Sequence, residues 1–284
     1  MVDRMHILNL VTCPCRDNGR KITDDTKLVR IDNYLESINS SYSLIEKGRL
    51  FRLYGRKDLS DLSNIVVISA HADIVDSIKN PRCEEIKELL VGTFDNSAGD
   101  ACALTLMAEE YLPDNVVIAF TMNEEHGMKG AFEVCKRFEN NGLTFSSVVL
   151  DVTNIGFREK SDFTIENASW SEDFGSIVID AAEGLGNYLF VPRERVPVDK
   201  TKYSYVPSER FCGFGWPDEA WAYAQNGIQT CSICVPTIGE MHDDSGLMML
   251  KSSYMNYIKA VGMIASSLAK DLERRIDNGF LGKA

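Results

Sequence analysis

Four short stretches of the chain are apolar and rich in β-branched residues: 64–70 (NIVVISA), 115–121 (NVVIAFT), 147–150 (SVVL) and 230–235 (TCSICV). None alternates polar with apolar residues. Continuous runs of this length fit strands buried on both faces of a sheet. Helical spacing fills the intervals. In 97–111, Ala101, Leu104, Ala108 and Tyr111 fall on one face. A second helix is predicted over 130–138 and a long amphipathic one over 252–276. In the long one Tyr254, Ile258, Val261, Ala265 and Leu268 make one stripe. Upstream, the spacing predicts a helix over 26–38 and strands near 42–45 and 50–54. Strands alternating with helices predict an α/β fold: a three-layer sandwich with a central, largely parallel mixed sheet flanked by helices.

No internal repeat, low-complexity tract or Gly/Ser linker divides the 284 residues, so one domain is expected over 1–284. Its first 60 residues carry the N-terminal helix and strands. Residues 155–225 are less regular and are read as extra sheet, loops and one rim of a cleft. They contain Trp170, Trp216 and Trp221, for which core packing is the plainer reading and a cleft wall the functional one.

Composition narrows the function. Hydrophobic residues make up 44% and charged ones 25%, as in an ordinary globular protein, which excludes a disordered chain. With 30 Lys and Arg against 42 Asp and Glu, the net charge is −12, which argues against nucleic acid as partner. The apolar run at residues 7–11 is too short for a secretion signal, and no later run is long enough for a membrane helix. A cytoplasmic protein without a membrane partner is expected. Among the eight cysteines, Cys13/Cys15 and Cys231/Cys234 have the spacing of metal half-sites. The second pair lies in the apolar run at 230–235, however, where cysteine acts as a small apolar side chain. Buried, reduced thiols are the expected state of all of them.

The polar residues that follow each apolar run carry the chemistry. His71-Ala72-Asp73 follows the first, Asn123-Glu124-Glu125-His126-Gly127 the second and Asp151-Val152-Thr153 the third. Glu240-Met241-His242-Asp243-Asp244 follows the fourth, and Asp95 stands before the helix at 97. In open α/β sheets, sites form beyond the carboxyl ends of the strands. A lone His-x-Asp or a pair of adjacent acids is weak evidence, since each arises often by accident. Together, His71, Asp95, Glu125, Asp151 and His242 form a suitable ligand set for two zinc-like ions, one acid bridging them. Glu124 is then a further acid where a general base should stand. Asp73, two residues after His71, is placed to orient that imidazole through its far nitrogen. A metal lowers the pKa of bound water from 15.7 to about 7, which makes a nucleophile fit for peptide hydrolysis.

These segments resemble the di-zinc aminopeptidase clan. His71-Ala72-Asp73, Phe94-Asp95-Asn96-Ser97-Ala98-Gly99, Glu124-Glu125-His126-Gly127-Met128-Lys129-Gly130-Ala131 and Leu150-Asp151-Val152-Thr153 occur in the clan's order. The stretch from Gly215 to His242 is similar to the C-terminal motif of the tetrahedral, dodecamer-forming aminopeptidases, through Asp218, Gly227-Ile228, Val235-Pro236-Thr237 and His242. The resemblance covers roughly residues 64–270. It implies that His71 and Asp151 hold one ion and Glu125 and His242 the other, with Asp95 bridging and Glu124 as general base. It implies a cis peptide bond at Asp95–Asn96, a peptide substrate and two divalent ions as cofactors, Zn²⁺ with Co²⁺ or Mn²⁺ as substitutes. Only 23 residues separate His71 from Asp95, where the dodecamer-forming relatives insert a lid domain. The chain therefore resembles the single-domain aminopeptidases, and the dodecamer is not carried over; oligomeric state stays open. His126 stands where relatives usually carry an apolar or small residue and is read as a bystander. His6 is read as structural.

Three functions are compatible with these residues. The first is an aminopeptidase acting on short peptides. The second is a carboxypeptidase, dipeptidase or N-acyl-amino-acid deacylase that uses the same two ions. The third is a metal- or peptide-binding homologue without catalysis. The complete residue set and the missing lid favour the first.

Overall fold

The computed structural model describes residues 2–13, 27–75, 77–169, 171–192 and 218–277. Among them the chain runs through α1 (Arg4–Val11), α2 (Lys27–Ser37), β1 (Ser43–Lys47), β2 (Phe51–Gly55) and β3 (Asn64–His71). A hairpin follows, β4 (Cys83–Ile86) and β5 (Leu89–Gly92), then α3 (Ser97–Glu109), β6 (Val116–Thr121), α4 (Lys129–Asn140) and β7 (Thr144–Thr153). Next come β8 (Phe163–Ser169), α5 (Glu172–Ala182), β9 (Tyr188–Pro192) and α6 (Glu219–Gln225). The last elements are β10 (Thr230–Pro236), β11 (Ile238–Gly239), β12 (Leu247–Leu250) and α7 (Lys251–Asp277).

Eight strands form one sheet in the order β1-β2-β6-β3-β7-β10-β8-β9. The four central strands, β6, β3, β7 and β10, are mutually parallel, while β1, β2 and β8 run antiparallel to their inner neighbours. The continuous apolar runs become the central strands because both of their faces are covered. On β3, Val66, Ile68 and Ala70 enter a core shared with α1, α2, α3, α5 and α7. Ile65 and Val67 point the other way, to α4 and α6. This is the α/β three-layer arrangement that the hydrophobic pattern predicted. A second, four-stranded antiparallel sheet of order β11-β12-β5-β4 stands apart from the first.

Several elements differ from expectation. The short apolar run at 7–11 belongs to a helix, α1, started by Asp3, whose side chain accepts the amides of Met5 and His6. The helix at 97 is not amphipathic: Ser97 through Met107 are all buried, because α3 packs on β3 and β7, beside α7 and against α1. Tyr111 falls beyond its end and is exposed. Within 155–225 the described residues are regular, with β8 and β9 extending the sheet and two further helices, α5 and α6. Trp221 packs edge-to-face on Phe132 of α4, which is the core reading; Trp170 and Trp216 lie outside the described residues. His6 packs its ring against Tyr34. Cys231 enters the core with Ile233 and Val235. Cys234, three residues on, is buried on the opposite face, since a strand alternates its side chains. The two thiols therefore do not converge on a metal. Cys13 is buried, and Cys15 lies outside the described residues.

The α1–α3 layer hides an ion pair. Lys27 Nζ lies 2.5 Å from Asp100 Oδ2 and 3.4 Å from Ser97 Oγ, and both charged side chains are wholly buried. Burial pushes the Asp100 carboxyl up, against the pull of Lys27. Removing one partner of such a pair leaves an uncompensated buried charge. Lys27→Met is expected to cost about 3–5 kcal/mol, and Lys27→Met with Asp100→Leu to recover most of it. Urea denaturation of the two variants measures both; equal stability of Lys27→Met and the parent would show that the pair is not structural.

Candidate metal centre

Three strands of the main sheet and the start of α3 converge at one end. His71 is the last residue of β3, and Asp73 follows it. Thr121, which pairs with His71 in the parallel register, ends β6 and leads into the turn carrying Glu124 and Glu125. Gly127 adopts φ +96° in that turn. A side chain on Gly130 would stand 2.6 Å from the Leu50 carbonyl oxygen and 2.7 Å from the Met122 backbone, so only glycine lets the turn close onto β2. Asp151 lies inside β7, which runs three residues further than the apolar pattern predicted. Asp95 precedes α3, and the Asp95–Asn96 bond is cis, as the resemblance implied. Asn96 caps that helix through the Gly99 amide, while its Nδ2 donates to the Leu150 carbonyl at 2.6 Å. One side chain thus ties the Asp95 turn to the strand that carries Asp151.

His242 arrives differently. It sits in the turn between β11 and β12. Ser77 Oγ donates to its carbonyl at 2.6 Å, and Asp244 Oδ1 accepts the amides of Lys79 and Asn80 at 2.7 and 2.9 Å. The loop after β3 therefore clamps the turn that brings in the second imidazole.

Asp95 stands between the two imidazoles. Its Oδ1 is 3.2 Å from His71 Nε2, and its Oδ2 is 3.3 Å from His242 Nε2. Asp151 Oδ1 lies 3.9 Å from His71 Nε2, and Glu125 Oε1 lies 3.5 Å from His242 Nε2. Donor atoms of His71, Asp95 and Asp151 all fall within 4.8 Å of one another, and so do those of Asp95, Glu125 and His242. A third group of the same span joins His71, Glu124 and Glu125. Asp73 Oδ1 faces His71 Nδ1 at 3.6 Å and accepts the Glu124 amide at 3.3 Å. All seven predicted site residues are thus brought together, and His126 stays exposed outside the three groups.

The electrostatics are those of a cluster short of positive charge. Burial pushes the Glu124 carboxyl up to about 8; His71 opposes this, while Glu125, Glu219 and Asp95 add to it. Burial and then the charge of Asp95 raise Glu125 and, further, Asp151. Burial would raise Asp95 too, but hydrogen bonds from His242 and His71 hold it below the usual carboxylate range. His71 is held well above its usual value: burial opposes this, and Asp73 and Asp95 outweigh it. For His242 the Asp95 bond is the main cause of a rise. Acids that resist their own ionisation invite cations. Imidazole nitrogens and carboxylate oxygens shared through one carboxylate fit a pair of divalent ions.

One member of the neighbourhood escaped the sequence reading. Glu219, the first residue of α6, is buried beside the ends of β3 and β6. Ser69 Oγ donates to it at 2.8 Å, and Thr121 Oγ1 donates to its other oxygen. A charged residue at the start of a short helix reads as a surface residue, and no pattern in the sequence marks it as buried.

A fold and centre of this kind define a metal-dependent hydrolase. The model of peptidase family M28 matches residues 52–243, more than half of the chain, and the chain belongs to that family: it is a metallopeptidase. Comparison with curated protein sequences gives no match. Solved structures share the fold. A TET aminopeptidase from a marine-sediment thaumarchaeon aligns with TM-score 0.67 and 12% identity over 93% of this chain and 96% of that one. The aminopeptidase APDkam598 of Desulfurococcus kamchatkensis aligns with TM-score 0.63 and 13% identity over 93% and 94%. The LapA aminopeptidase of Legionella pneumophila aligns with TM-score 0.61 and 14% identity over 94% of this chain and 69% of its own.

Divalent ions that bind the folded chain alone should stabilise it by about 2.7 kcal/mol per site at a free concentration 100 times Kd. Scanning calorimetry with Zn²⁺ against a chelator is expected to show that rise. Asp95→Asn is expected to lose most of it, because Asp95 faces both imidazoles. An unchanged rise in Asp95→Asn would remove Asp95 from the ligand set.

Proposed function

We propose that the protein is an aminopeptidase that removes N-terminal residues from short peptides, with 1–284 as one catalytic unit. The observation that carries the reading is the Asp95 carboxylate shared between His71 and His242, with the Glu124 carboxyl beside them. In this reading His71 and Asp151 hold one ion, Glu125 and His242 the other, and Asp95 both. Zn²⁺ is the natural occupant, with Co²⁺ or Mn²⁺ as substitutes. When bound, divalent ions supply acidified water and polarise a carbonyl.

The chain's own residues do the rest. Glu124 takes a proton from the nucleophilic water and returns it to the leaving amine. Its carboxyl is half-buried and is raised to about 8, so it can hold the proton between the two transfers. Asp73 fixes the His71 ring by facing Nδ1, which leaves Nε2 toward the Asp95 side. The same Asp73 carboxylate accepts the Glu124 amide, so base and imidazole are oriented by one group.

The structures that the fold resembles are named as aminopeptidases, which supports a free amino terminus as the recognised group. The described cysteines, Cys13, Cys83, Cys102, Cys135, Cys231 and Cys234, are free thiols. No helix among the described residues is long and apolar enough to cross a membrane.

Glu124→Gln removes a base and not a ligand. It is expected to lower kcat by about 10²–10⁴-fold with metal content unchanged, measured by turnover and elemental analysis. Turnover at the parent's rate would remove Glu124 from the mechanism. A panel of free-amine, N-acylated and C-blocked dipeptides tests specificity. Cleavage confined to the free-amine substrates is expected, and preference for N-acylated ones would replace the aminopeptidase with a deacylase.

A further inference from the structure

The buried carboxyl of Glu219 has no part in the reaction described above. It stands 1% exposed in the layer under the site. Its two oxygens accept from Ser69 and Thr121, and Tyr223 donates its hydroxyl to Ser69 Oγ at 2.9 Å. Burial raises this carboxyl to about 7, while the charge of His71 and the hydroxyls of Thr121 and Ser69 pull it toward the ionised form, which needs acceptors satisfied at both oxygens. Hydroxyls alone do not repay the cost of burying a charge, which is met when an opposite charge stands near.

The nearest chemistry is the metal centre. Ser69 lies two residues before His71 on the same side of β3. Thr121 is the residue paired with His71 across β3 and β6, three residues before Glu124. The acid thus sits beneath the junction of the two strands that deliver an imidazole and the base. A charge there is felt at the centre while touching none of its ligands.

We propose that Glu219 supplies an outer negative charge that tightens ion binding at the centre above it. This rests on the reading of His71, Asp95, Glu125, Asp151 and His242 as ion ligands. The five carboxylates Asp73, Asp95, Glu124, Glu125 and Asp151 crowd the front of the site. Glu219 adds charge from behind, where it cannot compete for coordination. The acid costs the metal-free protein stability, and the ions recover that cost when they bind.

The test uses the full-length, metal-free protein and Zn²⁺ alone, with affinity read by competition against a chromophoric chelator. Glu219→Gln keeps size and shape and removes the charge. Its affinity is expected to fall about tenfold or more, as for other residues behind a metal centre. The melting temperature of the metal-free form is expected to hold or rise, because a buried charge has gone. A structural residue would lose stability along with affinity. Glu219→Asp keeps the charge and should stay within about threefold of the parent. Unchanged affinity in Glu219→Gln, equal losses in the Gln and Asp variants, or a loss that tracks a lowered melting temperature would each overturn the proposal. If Glu219→Gln does not fold, Glu219→Met paired with Thr121→Val takes its place with the same expectations. Glu125→Gln, measured alongside, separates the two readings. If it weakens Zn²⁺ binding while Glu219→Gln does not, Glu219 alone is misread. If neither does, the ligand assignment itself fails.

Discussion

The structure turns on one carboxylate. Asp95 directs one oxygen to each of two imidazoles that come from opposite ends of the chain, His71 from β3 and His242 from the β11–β12 turn. Asp95 is the carboxylate that faces both imidazoles and so joins the two halves of the centre. Much of the surrounding architecture fixes that residue. Asn96 anchors the turn to β7, α3 is buried along its first three turns, and the Lys27–Asp100 pair holds the helix to α2. A carboxylate that had to find both partners on a mobile loop would lose in side-chain and backbone entropy what it gained in contact.

The same centre is electrostatically expensive, and that explains its placement in the fold. Five carboxylates gather at one end of the parallel strands, four of them in or just after β3, β6 and β7 and Asp95 ahead of α3. Desolvation and mutual repulsion push most of them toward the neutral form. Only a stiff frame can hold like charges at such spacing without relaxing them apart. The parallel core supplies it: β6, β3 and β7 send apolar residues into a core on each face, and β10 adds Cys231, Ile233 and Val235 to one of them. Stability of the sheet and chemistry of the site are therefore one problem. The apolar faces hold together what the charges would separate.

This division explains what was legible in the sequence. Uninterrupted apolar runs have no other stable home than a doubly covered strand, so β3, β6, β7 and β10 could be read directly. The residues that follow them could then be placed at one sheet edge. Elements defined by tertiary context were not legible. The β4–β5 hairpin and β11–β12 are short and gain their stability from one another. Helix α5 does carry an apolar stripe at helical spacing, Phe174, Ile177, Val178, Ala181 and Ala182, which the sequence reading passed over, whereas the seven residues of α6 are too few to show one. The all-round burial of α3 was written in its own residues, since Ala98, Ala101, Cys102, Ala103, Leu104, Leu106 and Met107 cover every side of the helix, and reading a single face of 97–111 missed it. Glu219 was invisible: a lone acid after Asp218 reads as a solvated helix start, and only the closure of Ser69 and Thr121 around it shows otherwise.

The short interval between His71 and Asp95 matters for more than the lid it has no room to hold. Its residues make β4 and β5, and β5 pairs with β12, so the small sheet is built from chain on both sides of the site. The loop leading into that hairpin then binds the His242 turn through Ser77 and through the Lys79 and Asn80 amides. The His242 side chain is 54% exposed, against 8% for Asp95. An imidazole so open to solvent gets little orientation from packing and must be aimed by its backbone. The segment that follows the first imidazole therefore positions the second. Lengthening that interval would have to preserve the clamp, because the half of the centre formed by Glu125 and His242 depends on it more than on the core.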